Sequence, residues 1–175
     1  MKKYLLLSAI GSDRPGLVRD IAKAVADVGC TIADCRSTVL GREFTMLLLA
    51  AGNWSAVAKL ESHAAALAKR LDLAITTRRT EEREPRDMLP YVVDVAALER
   101  PGILSEVADF FTRRDINIEE LNSWTYAAAG TGAEMVSVSL NISVPADLHI
   151  GRLRDEFTDF CDSLNLDATL EPARR

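Results

Sequence analysis

The sequence predicts an α+β chain made of two copies of one β-α-β-β-α-β module, each an antiparallel sheet with both helices on one face. Three observations carry that reading. Sliding the chain against itself by 86 positions lays Asp13-Arg14-Pro15-Gly16 on Glu99-Arg100-Pro101-Gly102, and Leu17, Val18, Ile21 and Ala22 on Ile103, Leu104, Val107 and Ala108. Hydrophobic periods of two and of about 3.6 alternate in the same order in both copies. Between the copies runs Arg78 to Asp87, a mixed-charge stretch with one proline, the composition of a solvated linker. The expected division is a first module over 1–80, a linker over 81–89 and a second module over 90–175.

The elements follow in order. Tyr4 to Ile10 and Tyr91 to Ala97 are apolar runs bounded by polar residues and read as buried strands. Arg-Pro-Gly follows each. Proline is tolerated in a first helical turn, where its missing N–H has no partner to lose, so a helix is expected to open at each Pro-Gly pair. Asp13 and Glu99 stand just ahead as candidate caps. Leu17, Val18, Ile21, Val25 and Val28 trace the apolar stripe of the first helix, and Ile103, Leu104, Val107, Phe110 and Phe111 that of its counterpart. Two strands come next, Thr31 to Leu40 and Glu43 to Ala51, joined by Gly41-Arg42; in the second copy they are Asn117 to Tyr126 and Ala133 to Ser143. Gly41-x-Glu43-Phe44 aligns with Gly132-x-Glu134-Met135, which leaves Ala127 to Thr131 as an extra loop. A second helix carries Val57, Leu60, Ala64, Leu67 and Leu71 in one copy and Leu153, Phe157, Phe160 and Leu164 in the other. Asn53 and Ser55, and Pro145 with Asp147, are its start signals. Leu73 to Thr77 and Leu166 to Leu170 close the copies. This order is the ferredoxin-like split βαβ arrangement, whose bare sheet face or edge seeks a partner, so pairing of the two copies with each other or across a homodimer is expected.

Composition narrows the function. With 21 Lys and Arg against 26 Asp and Glu the net charge is −5, which argues against a phosphate-neutralising surface and direct DNA binding. The charge is divided unevenly: residues 1–80 hold 12 basic and 7 acidic side chains, net +5, and residues 81–175 hold 9 and 19, net −10. Oriented docking of the acidic half on a basic partner is the expected use of that asymmetry. Cys30, Cys35 and Cys161 are odd in number and lack C-x-x-C spacing, so a reducing cytoplasm fits, with the thiols serving as small buried hydrophobes. The Met1 to Ile10 stretch is too short and lacks the cleavage site of a secretory signal, and no run is long enough for a membrane helix.

A β-α-β-β-α-β module with D/E-R-P-G after its first strand, and Thr31-Ile32 or Asn117-Ile118 opening its second, resembles an ACT domain, the amino-acid-sensing module of metabolic enzymes and regulators. A narrower resemblance comes from Ile32-Ala33-Asp34-Cys35-Arg36, Leu40 to Leu48 and Gly52-Asn53-Trp54-Ser55-Ala56, which is similar to the tandem-ACT proteins named after the glycine cleavage system transcriptional repressor. That resemblance implies a protein without catalysis, cofactor or DNA-binding domain. Such a protein holds a LysR-type activator in an inactive complex, under the influence of a small amino acid, glycine or serine. It also implies ligand contacts from Asp13, Arg14, Pro15, Gly16 and Leu17 and from Glu99, Gly102 and Ile103, facing Thr31 with Ile32 and Asn117 with Ile118. Only the second copy keeps the Asn, so the Asp13 to Leu17 turn with Asn117 is the preferred combination. Physical chemistry supports the carboxylate side: a helix N-terminus opened by glycine offers unpaired N–H groups and close approach. The same residues also suit plain capping and turn duty. Two other functions stay open, a regulatory subunit of an amino-acid-metabolising enzyme and a ligand-free dimerisation module.

No catalytic or metal constellation competes. His63 and His149 lack a second ligand at H-x-x-x-H spacing and read as surface histidines, and there is no G-x-S-x-G elbow, Walker lysine or G-x-G-x-x-G. Trp54, at a helix entrance, is expected to serve as a packing lid, with partner anchoring as the other role for it and for Trp124.

Overall fold

The structure is a computed structural model that describes residues 2–82 and 87–173. It divides into two compact units, Met1–Glu84 and Pro85–Arg175. In the first, β1 (Lys3–Ser12), α1 (Leu17–Asp27), β2 (Thr31–Leu40), β3 (Glu43–Gly52), α2 (Trp54–Leu71) and β4 (Ala74–Thr80) follow one another. The second repeats them as β5 (Met88–Leu98), α3 (Ile103–Thr112), β6 (Asn117–Ala127), β7 (Glu134–Pro145), α4 (Ile150–Ser163) and β8 (Asp167–Pro172). Each sheet is antiparallel, in the orders β2-β3-β1-β4 and β6-β7-β5-β8. The expected α+β fold of two split βαβ modules is the fold observed. Of the linker expected over 81–89, residues 83–86 lie outside the described residues, while Met88 and Leu89 already belong to β5.

Period-two alternation sets the layers. Leu5, Leu7 and Ala9 on β1 and Phe44, Met46, Leu48 and Ala50 on β3 are buried under the helices, meeting Leu17, Ile21 and Val25 of α1 and Val57, Leu60 and Leu67 of α2. The second module builds a separate core from Val93, Val95, Val138, Leu140 and Ile142 against Ile103, Val107, Phe111, Leu153 and Phe157. Val18, counted on the apolar stripe of α1, is instead about half exposed, because the buried face is narrowed to the i, i+4, i+8 row.

The repeat extends to backbone detail. β2 and β6 are edge strands, almost wholly exposed, and each carries a register shift at the same place, between Ile32 and Asp34 and between Ile118 and Glu120. One expectation is corrected. Leu5 pairs with Ala50 where Tyr91 pairs with Ile142, so β3 and β7 are related by 92 residues and the insertion is one residue longer than the Gly41 and Gly132 motifs suggest. Val136, not Met135, therefore stands in the place of the buried Phe44. A slip of one residue would have turned every side chain of β7 to the wrong face.

Of the second helices, α2 starts at its sequence signal and α4 does not. Asn53 caps α2, its Oδ1 accepting from the Ala56 N–H at 2.9 Å. For α4 the chain passes Pro145, the last residue of β7, and Asp147, and the cap falls on His149, whose Nδ1 accepts from the Arg152 N–H at 3.2 Å. Asn53→Ala is expected to cost about 1 kcal/mol in chemical denaturation, and Asn53→Asp close to nothing, because either oxygen satisfies the same donor.

Candidate functional site

The two Arg-Pro-Gly turns share one backbone. Gly16 (φ 96°) and Gly102 (φ 99°) each sit in the left-handed region immediately before the first helical residue. The first intrahelical bonds run from the Asp20 N–H to the Gly16 carbonyl and from the Glu106 N–H to the Gly102 carbonyl, both at 2.9 Å. The N–H groups of Leu17, Val18 and Arg19, and of Ile103, Leu104 and Ser105, are thus left without an intrahelical acceptor, and a glycine cap has no side chain to supply one. Asp13 and Glu99 do not cap these helices. Both are exposed, and each engages its module through its backbone N–H, bonded to the carbonyl of Arg42 (3.1 Å) or Glu134 (2.9 Å). The left-handed glycine makes itself the boundary residue and leaves the acid too far back along the chain.

The repeated arginines part company. Arg14 donates from Nη2 to the Leu71 carbonyl at 3.2 Å, across the module at the carbonyl end of α2, where a cation is favoured. Arg100 instead turns back over its own helix start and pairs with Glu106 at 2.6 Å. That hydrogen bond holds the Glu106 carboxyl below the usual range and raises Arg100, against a partial desolvation. Asp20, the counterpart of Glu106, pairs with its exposed neighbour Arg19 at 2.8 Å. The first turn is left open: Asp13 to Arg19, with Phe44 beneath, border a shallow concavity of about 540 Å³.

The strand openings lie elsewhere. Thr31 is level with Ala51 and Tyr4 at one end of its sheet, whereas Asp13 follows Ser12 at the other; Asn117, level with Ser143 and Pro90, stands in the same relation to Glu99. Eight strand residues separate the two levels, roughly 26 Å, so within one module no small amino acid spans them. Thr31 Oγ1 donates to the Ala51 carbonyl at 3.3 Å, and Asn117 Nδ2 donates to Glu119 Oε1 at 2.9 Å, which leaves the Asn117 Oδ1 to accept. Ile32 is exposed and Ile118 half-buried beside them.

Elsewhere burial and charge act on single groups. Burial raises the Cys30 thiol and, with Asp162 adding to it, pushes Cys161 up to about 11, which keeps both in the unreactive thiol form. Cys35 is half-buried on β2. Among the described residues no three His, Cys, Asp or Glu side chains are placed to hold a metal ion, and no helix is long and apolar enough to cross a membrane. Trp54 is not a lid: its side chain is 65% exposed at the entrance of α2, beside Lys2, Lys3 and Arg79. Nothing in its local sequence distinguishes the two orientations.

Comparison with known proteins agrees with this architecture. A family model for the ACT domain matches residues 3–78. The glycine cleavage system transcriptional repressor of Escherichia coli (strain K12) is 32% identical over 169 residues, covering 95% of this chain and 88% of its own length, and that of Shigella flexneri matches equally. Among solved structures, a proposed glycine cleavage system transcriptional repressor superposes with a TM-score of 0.75 at 25% identity, over 100% of this chain and 99% of its own. A protein of unknown function from Galdieria sulphuraria shares the fold, with a TM-score of 0.80 at 22% identity over 99% and 100% of the two chains. With two ACT-type modules in tandem and a curated relative matched over nearly its whole length, the chain belongs to the glycine cleavage system transcriptional repressor family of ACT-domain proteins.

Proposed function

We propose that this chain is a non-catalytic regulator whose contact with a protein partner responds to a small amino acid, glycine or serine, and that it represses glycine cleavage genes indirectly by holding a transcriptional activator of the LysR type. The observation that carries the ligand half is the open helix entrance at Gly16. Three N–H groups without intrahelical acceptors and the positive end of α1 suit a carboxylate, and the missing Cβ lets it approach. Pairing with Arg19 offsets the charge of Asp20 that would otherwise repel it. Asp13, Arg14, Pro15 and Leu17 shape the turn. The ligand ammonium falls to Asn117 Oδ1, or to Thr31, presented by a second copy of this chain, because within one module these groups are at the opposite end of the sheet from the turn. Ile32 and Ile118 flank them. Glu99, Gly102 and Ile103 form the equivalent turn of the second copy, narrowed by the Arg100–Glu106 pair.

The partner half draws on the relatives' names and on the acidic second module, which favours a basic protein surface over nucleic acid. A ligand shifts such a complex only by the difference between its affinities for the free and the bound forms. The direct test is a melting-temperature panel of the amino acids on the full chain. Glycine or serine at about 100 times its dissociation constant is expected to stabilise the fold by about 2.7 kcal/mol, with leucine and phenylalanine inactive. No shift with any amino acid would remove the ligand from this reading.

A further inference from the structure

α2 runs for 18 residues, and its outer side is cationic without compensation. The apolar row from Ala56 to Leu71 turns into the first core. At about 100° per residue the opposite side carries Ser62 and Lys69, with Lys59, His63 and Arg70 along one flank, all of them exposed. Glu61, the one carboxylate of α2, lies on the other flank and is held by Arg79 of β4 at 2.6 Å. Among the described residues Lys59, Lys69 and Arg70 have no ion-pair partner, whereas on the neighbouring α1 Arg19 and Lys23 are paired with Asp20 and Asp27. The negative end of the helix dipole accounts for Lys69 and Arg70, in the last turn, but not for Lys59, well before it. Nor does the fold ask for cations here: α4, the same element of the second module, exposes Asp155, Asp159 and Asp162 at i, i+4 and i+7.

Trp54 adds an apolar end to this surface. It opens α2 as Ile150 opens α4, but Ile150 packs against the second core, while Trp54 is left out of the first and stands exposed beside Lys2, Lys3 and Arg79, at a concavity of about 560 Å³. An aromatic anchor among cations is the composition that dominates binding energy where proteins meet. From Trp54 to Arg70 the ridge is straight and spans about 24 Å at 1.5 Å per residue, the length of a helix of about 16 residues. Its complement is a helix that carries carboxylates along one side and an apolar group near one end. A second copy's α4 offers the aspartates, but none of its exposed side chains is apolar, so Trp54 would stay uncovered. An extended polyanion is disfavoured by the net charge of −5.

We propose that the outer face of α2, from Trp54 to Arg70, is the docking surface for an acidic amphipathic helix of a protein partner, its carboxylates on Lys59, Lys69 and Arg70 and an apolar side chain on Trp54. The contact is separate from that of the acidic second module and requires no amino-acid ligand.

Fluorescence polarisation with a labelled synthetic helix measures it. The probe is a peptide of about 16 residues with glutamate along one face, a leucine at one end of that face and alanine elsewhere, titrated with the full chain. Circular dichroism and melting of each variant check folding. The glutamate peptide is expected to bind, and its lysine counterpart is not. Lys59→Glu with Arg70→Glu should weaken binding about tenfold or more, and so should Trp54→Ala. Replacing the peptide's leucine by alanine should weaken binding to the wild-type chain but not to Trp54→Ala, which ties the two groups to each other. Asp159→Asn on α4 should leave the constant unchanged. A glutamate peptide that fails to bind, or that binds the variants as it binds the wild-type chain, overturns the proposal. So does tighter binding of a single-stranded oligonucleotide or of phosphatidylglycerol vesicles, lost in the same variants, which would make the occupant a nucleic acid or a membrane. Self-association of the chain abolished by Lys59→Glu with Arg70→Glu would make it a second copy and overturn the proposal equally.

Discussion

Phe111→Ala is expected to remove about 3–5 kcal/mol from the second module, the largest loss of any single truncation in its core. Phe111 is fully buried on α3, with its ring centroid 5.2 Å from Phe110 in edge contact and 5.3 Å from Phe157 of α4. Phe110 in turn meets Phe157 and Phe160 and carries the Arg114 guanidinium 3.7 Å above its ring, so truncation opens a cavity beneath a connected aromatic layer. The Phe111 carbonyl also accepts from the N–H groups of Arg114 and Ile116, which close the helix into β6. A single domain is stable by about 5–15 kcal/mol, so the loss is a large share of the total. Hydrogen exchange is the discriminating measurement. Protection should fall across β5 to β8 while β1 to β4, which rest on their own core, keep theirs. Equal loss in both modules would refute the separation of the cores.

How much of this was legible beforehand differs by kind of signal. Features written in the local sequence were readable: the element order, the glycine-opened helices, the Asn53 cap and the exact span of β2 follow from periodicity and turn chemistry over short windows. The register of β7 was not, because Gly132-x-Glu134 mimics Gly41-x-Glu43 while the hydrogen-bond ladder, which decides which residues face the helices, runs one residue out of step with that likeness. Arg14 and Arg100 occupy identical motif positions and make opposite choices. Arg100 finds a glutamate six residues on, in the first turn of α3, whereas the shorter Asp20 is taken by Arg19 and Arg14 extends to the end of α2. Side-chain partners of that sort depend on reach and on neighbours distant in sequence. For the same reason the site residues could be named but not joined, since the distance between Asp13 and Thr31 is a property of the folded sheet.

That divergence of the two arginines bears on which turn works, and it gives the second large effect its control. Gly16→Val is expected to abolish the melting shift produced by glycine or serine, whereas Gly102→Val should retain it. Both substitutions force a β-branched residue into a φ near +96° to +99°, which costs about 1–3 kcal/mol in either module. Neither is crowded out of the fold: a Cβ at Gly16 would come no closer than 3.3 Å to the flexible tip of Arg19, and one at Gly102 no closer than 3.7 Å to Glu106 Oε1. The strain is therefore matched and cancels in the comparison. What differs is access. At Gly16 the added side chain projects where a ligand carboxylate must approach the N–H groups of Leu17, Val18 and Arg19, beside the concavity that Asp13 to Arg19 and Phe44 border. An ion pair borders each glycine, but at Gly102 Arg100 holds both carboxylate oxygens of Glu106 and is 38% exposed, whereas at Gly16 Arg19 holds one oxygen of Asp20 and is 78% exposed, so the first turn is the more readily opened to a ligand. If Gly102→Val alone removed the shift, the binding turn would be the second, and the ion pair would have to open for the ligand. If neither removed it, the amino acid would bind away from both turns, and the uncapped helix starts would be features of the chain path alone.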